Sequence, residues 1–427
     1  MGACGEILRL SPLAMLLAWV AASPVEAAIT SAEVIRLASS SAADPRARAA
    51  RVAGDGLLSF FTASDIHLGW DPNTQPSCPN STYNSFELNR LAVDAMNHLP
   101  GEQDWEEAMG GGPVVEPAGL VVSGDLVDRG PEAIGYPQMV NFTNLYGLDG
   151  EGMLRYPVYE GFGNHDGGNL TSGPHYPNYV RLGIKARNKV RRGVMHLSDN
   201  ELHYSWDWPI TPSCSLHLVQ LNLFAGRYGE PVDAPFYGPN PASWVHPEYS
   251  LNFLERDLAA NVGDSGRPVV FFQHYGFDGF SNSWWADHER EELAQVLAPY
   301  NVLAIFVGHT HAANYYQWNG YDVINTPSTQ ADATWRGPPD PQYMVVEVTS
   351  EDGGASGKLR VGQRKRYAWG PVKFQKEAPL CGKLPPSPHP TSAPRKALGK
   401  TGQPVRDINR ITGLFRPFPP PPANEMV

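Results

Sequence analysis

Five apolar runs of strand length in this chain are each followed closely by a side chain that can bind a metal ion. The runs are LLSFFTA (57–63), GLVVSG (119–124), YPVYEGF (156–162), PVVFFQH (268–274) and VLAIFVG (302–308). Each is rich in β-branched or aromatic residues and too short for a typical helix, which favours β-strands. The side chains that end or follow them are Asp65, His67, Asp125, Asn164, His274, His309 and His311. Ligand sites in α/β sheets gather beyond the carboxyl ends of the strands, so we expect these side chains to converge.

The mixture of ligand atoms restricts which metal ions fit. Asp-x-His and His-x-His place two ligand atoms two residues apart, so a turning backbone can aim both at one centre. Carboxylates, imidazoles and one amide oxygen suit Mn, Fe or Zn better than Mg or Ca. Seven ligands are too many for one ion, but with one bridging carboxylate they make two incomplete shells. Two ions about 3.5–4 Å apart can clamp the oxygens of a phosphoryl displacement and acidify a bound water.

The spacing of apolar residues between these strands predicts helices. Asn84 and Glu87 form a start similar to a capping box, followed by apolar residues at helical spacing. Residues 249–260 and 288–299 also have amphipathic helical patterns. Strands and helices alternate early in the chain, and closely spaced strands follow later. This order predicts sheets covered by helices rather than a sandwich made of sheets alone.

Taken together, the ligand-bearing segments resemble a known family. Its five conserved blocks are similar to Asp65-x-His67, Gly124-Asp125-x-x-Asp128-Arg129, Gly163-Asn164-His165-Asp166, His274 and Gly308-His309-x-His311. They occur in the order found in the calcineurin-like metallophosphoesterase superfamily and span residues 65–311. Together with the strand count, the resemblance implies an α/β (α+β) fold, a four-layer αββα sandwich of two mixed β-sheets flanked by helices. We place this domain at residues 50–370.

The resemblance also implies a role for each residue. Asp65, His67 and His311 would hold one metal ion, Asp125 would bridge, and Asn164, His274 and His309 would hold the other. The expected cofactors are two divalent or mixed-valence transition-metal ions. The expected reaction is hydrolysis of a phosphate ester, a monoester or a diester, by attack of a metal-bound hydroxide. His165 would protonate the leaving oxygen or stabilise the transferring phosphoryl group, and Asp128 would orient that group.

Arg129 has two interpretations. Gly-Asp-x-Val-Asp-Arg-Gly is the form found in the protein phosphatase branch, where the arginine contacts phosphate oxygens as a bidentate fork. Gly308-His309-x-His311 belongs instead to the broader phosphoesterase group, and the branch's Arg-Gly-Asn-His-Glu block is replaced here. Arg129 is therefore either a phosphate contact or an ion-pair partner on the surface. For Asp166 we expect a supporting role, and for His217, in mid-strand, that of an ordinary core histidine.

Two functions from different classes fit the pattern. One is an active phosphoesterase. The other is a catalytically idle, metal-stabilised binding protein on the cell surface, with its proline-rich C-terminal segment as the docking element. The intact ligand set and the presence of His165 favour the enzyme, because an idle protein has no reason to keep incomplete metal shells beside a proton donor.

The beginning of the chain resembles an export signal. Arg9 precedes the apolar run LAMLLAWVAA (13–22), and Val25 and Ala27 supply the small side chains of a cleavage site. We expect residues 1–27 to be removed, which predicts a secreted or extracytoplasmic protein with no transmembrane span in the mature chain. The alternative is an uncleaved membrane anchor. Of the cysteines that remain, Cys78, Cys214 and Cys381, two can form a disulfide, and the sequence leaves the pair open.

Composition excludes some partners and limits the folded region. The net charge is −11 and no long Lys/Arg run is present, which disfavours nucleic acid as a main partner. Hydrophobic residues make up 42% of the chain, enough for a large core. Residues 383–427 are rich in proline and poor in periodic apolar positions, so we predict an extended, mobile C-terminal tail.

Overall fold

The computed structural model describes residues 56–70, 84–130, 132, 134–167, 179–228, 247–281, 285–330 and 341–381. The predicted export signal (1–27), Cys78 and the proline-rich tail (383–427) lie outside these residues. The described residues all belong to one compact unit of the chain, residues 1–389. None of the helices among them is long and apolar enough to cross a lipid bilayer.

In the described parts of the chain, the first of two mixed sheets has six strands. They are β1 (Leu57–Ala63), β2 (Leu120–Val122), β3 (Val158–Glu160), β11 (Gln342–Glu351), β12 (Ser356–Lys365) and β13 (Ala368–Pro379). Their order is β13-β12-β11-β1-β2-β3. β1, β2 and β3 run parallel, whereas β11 pairs antiparallel with β1, and β12 and β13 continue antiparallel. The described sheet extends beyond residue 370, to Pro379.

The second sheet has seven strands among the residues that the structure describes. They are β4 (Val194–Leu197), β5 (Tyr204–Thr211), β6 (Cys214–Gln220), β7 (Pro268–Phe272), β8 (Asn301–Val307), β9 (Asn314–Trp318) and β10 (Tyr321–Asn325). Their order is β4-β5-β6-β7-β8-β10-β9. The four strands β6, β7, β8 and β10 are parallel, and the flanking strands are antiparallel. A disulfide between Cys214 and Cys381 joins the start of β6 to the residues after β13.

Among the described residues, six α-helices connect and cover the sheets. They are α1 (Ser85–His98), α2 (Gly135–Tyr146), α3 (Asn164–Gly167), α4 (Tyr179–Val190), α5 (Ser250–Asp257) and α6 (Asp287–Leu297). A π-helical turn, Leu258–Val262, extends α5. The predicted start of α1 is confirmed, because the Asn84 Oδ1 atom accepts a hydrogen bond from the Glu87 amide at 3.0 Å. That bond satisfies one of the amide groups that a helix leaves unpaired at its N-terminus.

Alternate residues of the central strands belong to different cores. In β1, Phe60 packs between the sheets, where its ring lies 6.4 Å from that of Phe272 in the other sheet. Phe61, on the opposite face of β1, belongs to a core that includes Met96 of α1 and Phe142 of α2. Both faces of each sheet are thus covered, which is why β1 is apolar throughout rather than alternating. The predicted four-layer αββα sandwich is confirmed.

Candidate metal centre

The seven predicted metal ligands follow parallel strands, six of them in loops and Asn164 as the first residue of α3. The loops after β1, β2 and β3 come from one sheet, and those after β7 and β8 come from the other. Leu223 joins the two sheets at this edge: its amide donates to the Phe162 carbonyl at 3.0 Å, and its carbonyl accepts from the His274 amide at 2.8 Å. The His309 amide donates to Asp65 Oδ2 at 2.9 Å. The ligand loops are therefore fixed to one another by short hydrogen bonds.

Five of the seven predicted ligands have a backbone conformation that side chains rarely adopt. The positive φ values are Asp65 51°, His67 43°, Asp125 54°, His309 71° and His311 60°. A left-handed conformation outside glycine costs on the order of 1–3 kcal/mol and persists only where the surroundings enforce it. Such strain clusters at functional sites. Here it positions the predicted ligands at the expense of local backbone stability, and side-chain spacing alone does not reveal it.

Two glycines of the sequence blocks lie where the backbone passes so close to other atoms that no side chain fits. A Cβ atom on Gly163 would lie 2.2 Å from Asp125 Oδ1, and one on Gly308 would lie 1.9 Å from Ser64 Oγ. Neither distance is possible for a real side chain. The backbone must pass directly against the ligand-bearing residues at these two points, and only glycine allows it.

The first group of ligand atoms comes from Asp65, His67 and His311. His311 Nε2 lies 3.4 Å from Asp65 Oδ1 and 3.2 Å from His67 Nε2. His67 Nε2 lies 3.8 Å from Asp65 Oδ1. Two ring nitrogens and a carboxylate oxygen thus face one point, an arrangement that fits a shared cation.

The second group comes from Asp125, His274 and His309. His274 Nε2 lies 3.2 Å from Asp125 Oδ2 and 2.9 Å from Asn164 Oδ1. The other ring nitrogen of His274, Nδ1, lies 2.9 Å from the Ser123 carbonyl. A proton on Nδ1 is donated to that carbonyl, which orients the ring and leaves Nε2 facing the ligand oxygens, the usual support of a metal-binding histidine.

Asp125 lies between the two groups. Its Oδ2 atom is 3.5 Å from His67 Nε2 on one side and 3.2 Å from His274 Nε2 on the other. Within the described parts of the chain, this oxygen and Asp65 Oδ1 are buried and accept no hydrogen bond. A buried carboxylate oxygen without a partner is costly. A cation bound between the histidines would remove that cost, so the residues present fit a metal pair.

The histidines of the centre differ in the direction in which burial and neighbouring charges shift their pKa values. Burial lowers the pKa of His309 to about 3, with the charge of His274 adding to the effect. Burial likewise lowers the pKa of His311 to about 4, despite nearby Asp65. Burial also opposes the charge of His274, but the Asp125 carboxylate outweighs it and raises that pKa to about 9. His309 and His311 are therefore neutral near pH 7 and keep a lone pair for a metal ion.

His165 lies beside the centre with its side chain 34% exposed. Its ring is edge-on to that of His67, with centroids 4.5 Å apart, and its Nδ1 atom is 2.9 Å from the Asp128 carbonyl. Its amide donates to Asp125 Oδ1 at 2.8 Å. His165 also forms a group of possible ligand atoms with His67 and Asp125. The ring is thus both next to the centre and open to solvent.

The Asp128 carboxylate lies closer to His67 than to His165. Its Oδ1 atom lies 3.5 Å from His67 Nδ1, closer than the 3.9 Å to His165 Nδ1. Arg129 lies at the surface, where its Nε atom is 3.2 Å from Glu132 Oε1 and both side chains are more than half exposed. That contact corresponds to the ion-pair interpretation of Arg129. An exposed pair of this kind contributes little to stability.

Asp166 ties two ligand loops together. Its Oδ1 atom accepts hydrogen bonds from the Leu126 and Val127 amides at 2.8 and 3.1 Å, and its Oδ2 atom accepts one from the Gly163 amide at 2.8 Å. These amides flank Asp125 and Asn164. Both oxygens of Asp166 are thus used to fix the backbone around two predicted ligands. The carboxylate in the Asn-His-Asp block was the available signal for this role.

Comparison with known proteins gives the class. A family model described as calcineurin-like phosphoesterase matches residues 59–313. The chain therefore belongs to the calcineurin-like phosphoesterase family, and the resemblance predicted from the sequence blocks is confirmed. Membership of this family supports the expectation of a metal-dependent phosphoric ester hydrolase.

Particular relatives and solved structures are similar to different extents. The 3',5'-cyclic adenosine monophosphate phosphodiesterase CpdA of Haemophilus influenzae is 42% identical over 106 residues, which are 24% of this chain and 36% of the relative. A dimetal phosphatase from Danio rerio aligns with 76% of this chain and 99% of its own, at 14% identity and a TM-score of 0.47. A putative 5'-nucleotidase from Staphylococcus aureus aligns with 77% of this chain and 55% of its own, at 12% identity and a TM-score of 0.39.

Proposed function

We propose that this protein hydrolyses phosphate esters with two transition-metal ions, Mn, Fe or Zn, bound between its two sheets. The observation that carries the proposal is the position of Asp125, whose Oδ2 atom lies within 3.5 Å of a histidine from each ligand group and accepts no hydrogen bond in the described structure. Family membership supports the same reaction class. The similarity to a cyclic nucleotide phosphodiesterase makes diesters as well as monoesters worth testing.

In this proposal the ligands divide into the two groups that the distances between their ligand atoms define. Asp65, His67 and His311 hold one ion, Asn164, His274 and His309 hold the other, and Asp125 contacts both. When bound, the ion pair would acidify a water molecule and draw charge from the phosphoryl oxygens. The chain itself fixes the ligand directions: Ser123 orients His274, Asp128 contacts His67, and Asp166 holds the loops of Asp125 and Asn164.

His165 is the proposed proton donor. Its Nδ1–H donates to the Asp128 carbonyl at 2.9 Å, which leaves Nε2 to carry the proton that is transferred. Protonated at Nε2, His165 would donate to the ester oxygen that leaves as its bond to phosphorus breaks. The partial exposure of the ring allows a substrate to reach it, and a positioned acid of this kind contributes about 10²–10⁴-fold to rate.

The experiment that tests the function is a metal-loaded assay with p-nitrophenyl phosphate and bis(p-nitrophenyl) phosphate. Hydrolysis of either by the wild-type protein, and of neither by the Asp125→Asn variant, supports the enzyme. The ratio of the two rates separates a monoesterase from a diesterase. Metal-loaded protein that hydrolyses neither ester would favour the idle surface-binding protein instead.

We also propose that the mature protein is exported after removal of residues 1–27. The signal pattern ending at Ala27 supports this. The Cys214–Cys381 disulfide fits an oxidising compartment, because disulfides persist outside the reducing cytosol. N-terminal sequencing of the protein recovered from the medium should begin at Ala28. Recovery of the intact N-terminus in the membrane fraction would identify an uncleaved anchor.

Residues 383–427 are proposed to be dispensable for hydrolysis. All proposed ligands precede residue 312, and a chain that ends at Gly382 retains Cys381 and its disulfide. Such a truncated protein should hydrolyse a small phosphate ester at the wild-type rate. Loss of folding on truncation would show that the tail is part of the domain.

A further inference from the structure

An aromatic ring is exposed at the rim of the proposed metal centre. Phe280 is 57% exposed. Its ring centroid lies 4.9 Å from that of His309, a proposed ligand, with 30° between the planes. Other aromatic residues around it, Tyr275, Phe277 and Trp285, are buried. Water in contact with an apolar ring is unfavourable, so a ring exposed beside a reactive centre is a candidate for ligand contact.

The turn that carries Phe280 is held by its own hydrogen bonds. Asp278 Oδ1 accepts from the Phe280 and Ser281 amides at 2.9 and 3.0 Å, and Asp278 Oδ2 accepts from Ser281 Oγ at 2.9 Å. The Gly276 amide donates to Ser281 Oγ at 3.1 Å. The turn begins two residues after His274. Its closure fixes the backbone of Phe280 relative to the metal centre.

The base of the turn is anchored in the core. Phe277 stacks on Trp318 with ring centroids 4.0 Å apart, and its amide donates to the Tyr316 hydroxyl at 2.9 Å. Trp285 Nε1 donates to the Gly276 carbonyl at 3.0 Å. One phenylalanine of the turn thus packs inward while the other faces outward. A rigid support of this kind lowers the entropic cost of binding a ligand against the outer ring.

We propose that Phe280 is a specificity-determining residue that stacks against a flat aromatic group of the substrate, an aryl ring or a nucleobase. The inference rests on the proposed function, because a phosphoryl group bound at the metal centre brings its ester substituent next to His309. A planar π-system gains both buried area and ring contact on Phe280, whereas a short alkyl group gains little of either. Phe280 thus selects for the organic part of the ester.

The test compares 2-naphthyl phosphate with ethyl phosphate, each as the ratio of wild-type to variant kcat/KM, so that intrinsic reactivity cancels. Stacking on an aromatic side chain corresponds to a loss of about 10-fold on removal of the ring. Phe280→Ala should lower kcat/KM for 2-naphthyl phosphate by about 10-fold and for ethyl phosphate by less than about 2-fold. Phe280→Leu should lose most of the same preference, and Phe280→Tyr should keep it.

The matched control is Tyr367→Ala. Tyr367 is 51% exposed and its hydroxyl donates to Asp94 Oδ2 at 2.8 Å, a contact that involves no proposed ligand. Its removal should change neither ratio. Equal losses on both esters for Phe280→Ala would overturn the inference and make Phe280 a support for His309. An unchanged aromatic preference would overturn it as well.

A binding measurement keeps the inference separate from the proposed function. Phenylphosphonate and methylphosphonate cannot be hydrolysed as esters, and their Kd values for metal-loaded protein follow from calorimetry. Wild-type protein should bind phenylphosphonate about 10-fold more tightly than Phe280→Ala does, with methylphosphonate unaffected. A protein that shows this difference but hydrolyses no ester would refute only the proposed function. A protein that hydrolyses esters without this difference would refute only the stacking.

Discussion

Within the described residues, two clusters of histidine and aspartate with buried members differ in how their polar atoms are used. The first is the metal centre, with Asp65 and Asp125 among its ligands. The second, which we call the core ionic cluster, consists of Asp207, His217, Asp257 and His196. His217 Nδ1 lies 2.7 Å from Asp207 Oδ1, and its Nε2 lies 2.8 Å from Asp257 Oδ2. Asp257 Oδ1 accepts from Ser205 Oγ at 2.7 Å and lies 3.0 Å from His196 Nδ1.

The difference shows what distinguishes a binding site from a stable core. In the core ionic cluster, both ring nitrogens of His217 and both oxygens of Asp257 have partners within the chain. In the metal centre, Asp65 Oδ1 and Asp125 Oδ2 have none among the described residues, and the backbone carries positive φ values. Unused buried oxygens on a strained backbone need a ligand from outside. Histidine and aspartate therefore bind an external ligand in the metal centre and stabilise the fold in the core ionic cluster.

Among the substitutions that test this comparison, Asp125→Asn should have the largest effect on activity. An amide in place of the bridging carboxylate removes the negative charge that both ligand groups share. Changes to groups that merely support metal ligands cost about 10–100-fold, so we expect a loss of more than about 100-fold in rate, together with a loss of bound metal. Metal analysis and turnover on p-nitrophenyl phosphate measure both. Full metal content with normal turnover would show that Asp125 is not the bridge.

His165→Ala should separate proton donation from metal binding. We expect both metal ions to remain and the rate to fall by about 10²–10⁴-fold. The loss should be smaller for p-nitrophenyl phosphate, whose leaving group needs little protonation, than for an alkyl phosphate. Equal losses on the two esters would indicate stabilisation of charge in the transition state. Loss of metal would instead make His165 a ligand.

Asp166→Asn should have a smaller effect through the loops that it fixes. An asparagine keeps one acceptor oxygen but places an NH₂ group against the amides on the other side. We expect metal affinity or kcat/KM to fall by about 10–100-fold, the usual range for groups that orient metal ligands. A metal titration of the variant measures this. An excess of metal should restore part of the activity, and unchanged affinity and rate would contradict the role.

His217→Leu should affect stability and leave the chemistry intact. The substitution removes the imidazole from Asp207 Oδ1 and Asp257 Oδ2, while Arg267 still pairs with Asp207 and Ser205 still donates to Asp257 Oδ1. Breaking a buried pair costs up to about 3–5 kcal/mol of unfolding free energy. Urea unfolding measures that loss, and kcat of the folded protein is the control. A matching loss of kcat would show that the core ionic cluster is coupled to the metal centre.

The pH dependence of stability, compared between wild-type protein and His217→Leu, shows which protonation state of His217 stabilises the fold. Burial opposes the charge of His217, but Asp207 and Asp257 outweigh it and raise its pKa above the usual value of 6.5. The raised pKa means that the folded state favours the proton. The stability from His217 is therefore complete below about pH 6.5 and is lost as pH rises through the folded-state pKa. Wild-type protein should lose stability over that range relative to His217→Leu.

Sequence patterns predicted the strands that precede the metal ligands better than the antiparallel strands away from them. The strands before the ligands, such as 57–63, were predicted because they are buried on both faces and therefore continuously apolar. β5, β12 and β13 were not predicted: β5 contains Asp207 and Pro209, and β12 and β13 alternate apolar with charged residues, as in Lys358-Leu359-Arg360-Val361. These strands pair with their neighbours in the chain through short turns, as Lys365 does with Ala368 and Thr211 with Cys214. They lack the continuous apolar run that identified the strands at the site, because their polar residues face solvent or form ion pairs.

For the site, the sequence showed the types of metal ligand and their spacing, but not the groups that orient those ligands. The Ser123 carbonyl that orients His274 is a backbone atom, so no side-chain pattern identifies it. The contact of Asp128 with His67 and the exposure of Phe280 beside His309 likewise depend on how separate loops pack. The choice of Cys214 and Cys381 as the disulfide pair also needed the structure, because the two residues are 167 positions apart.

The central claim is that one chain binds two metal ions and needs both for hydrolysis. The most direct measurement is a titration of chelator-treated protein with Mn²⁺, Fe²⁺ or Zn²⁺, with bound metal and turnover on p-nitrophenyl phosphate followed together. We predict that activity is absent without metal and reaches its maximum when two ions are bound per chain. Full activity in the metal-free protein, or a maximum with one ion bound, would contradict the account.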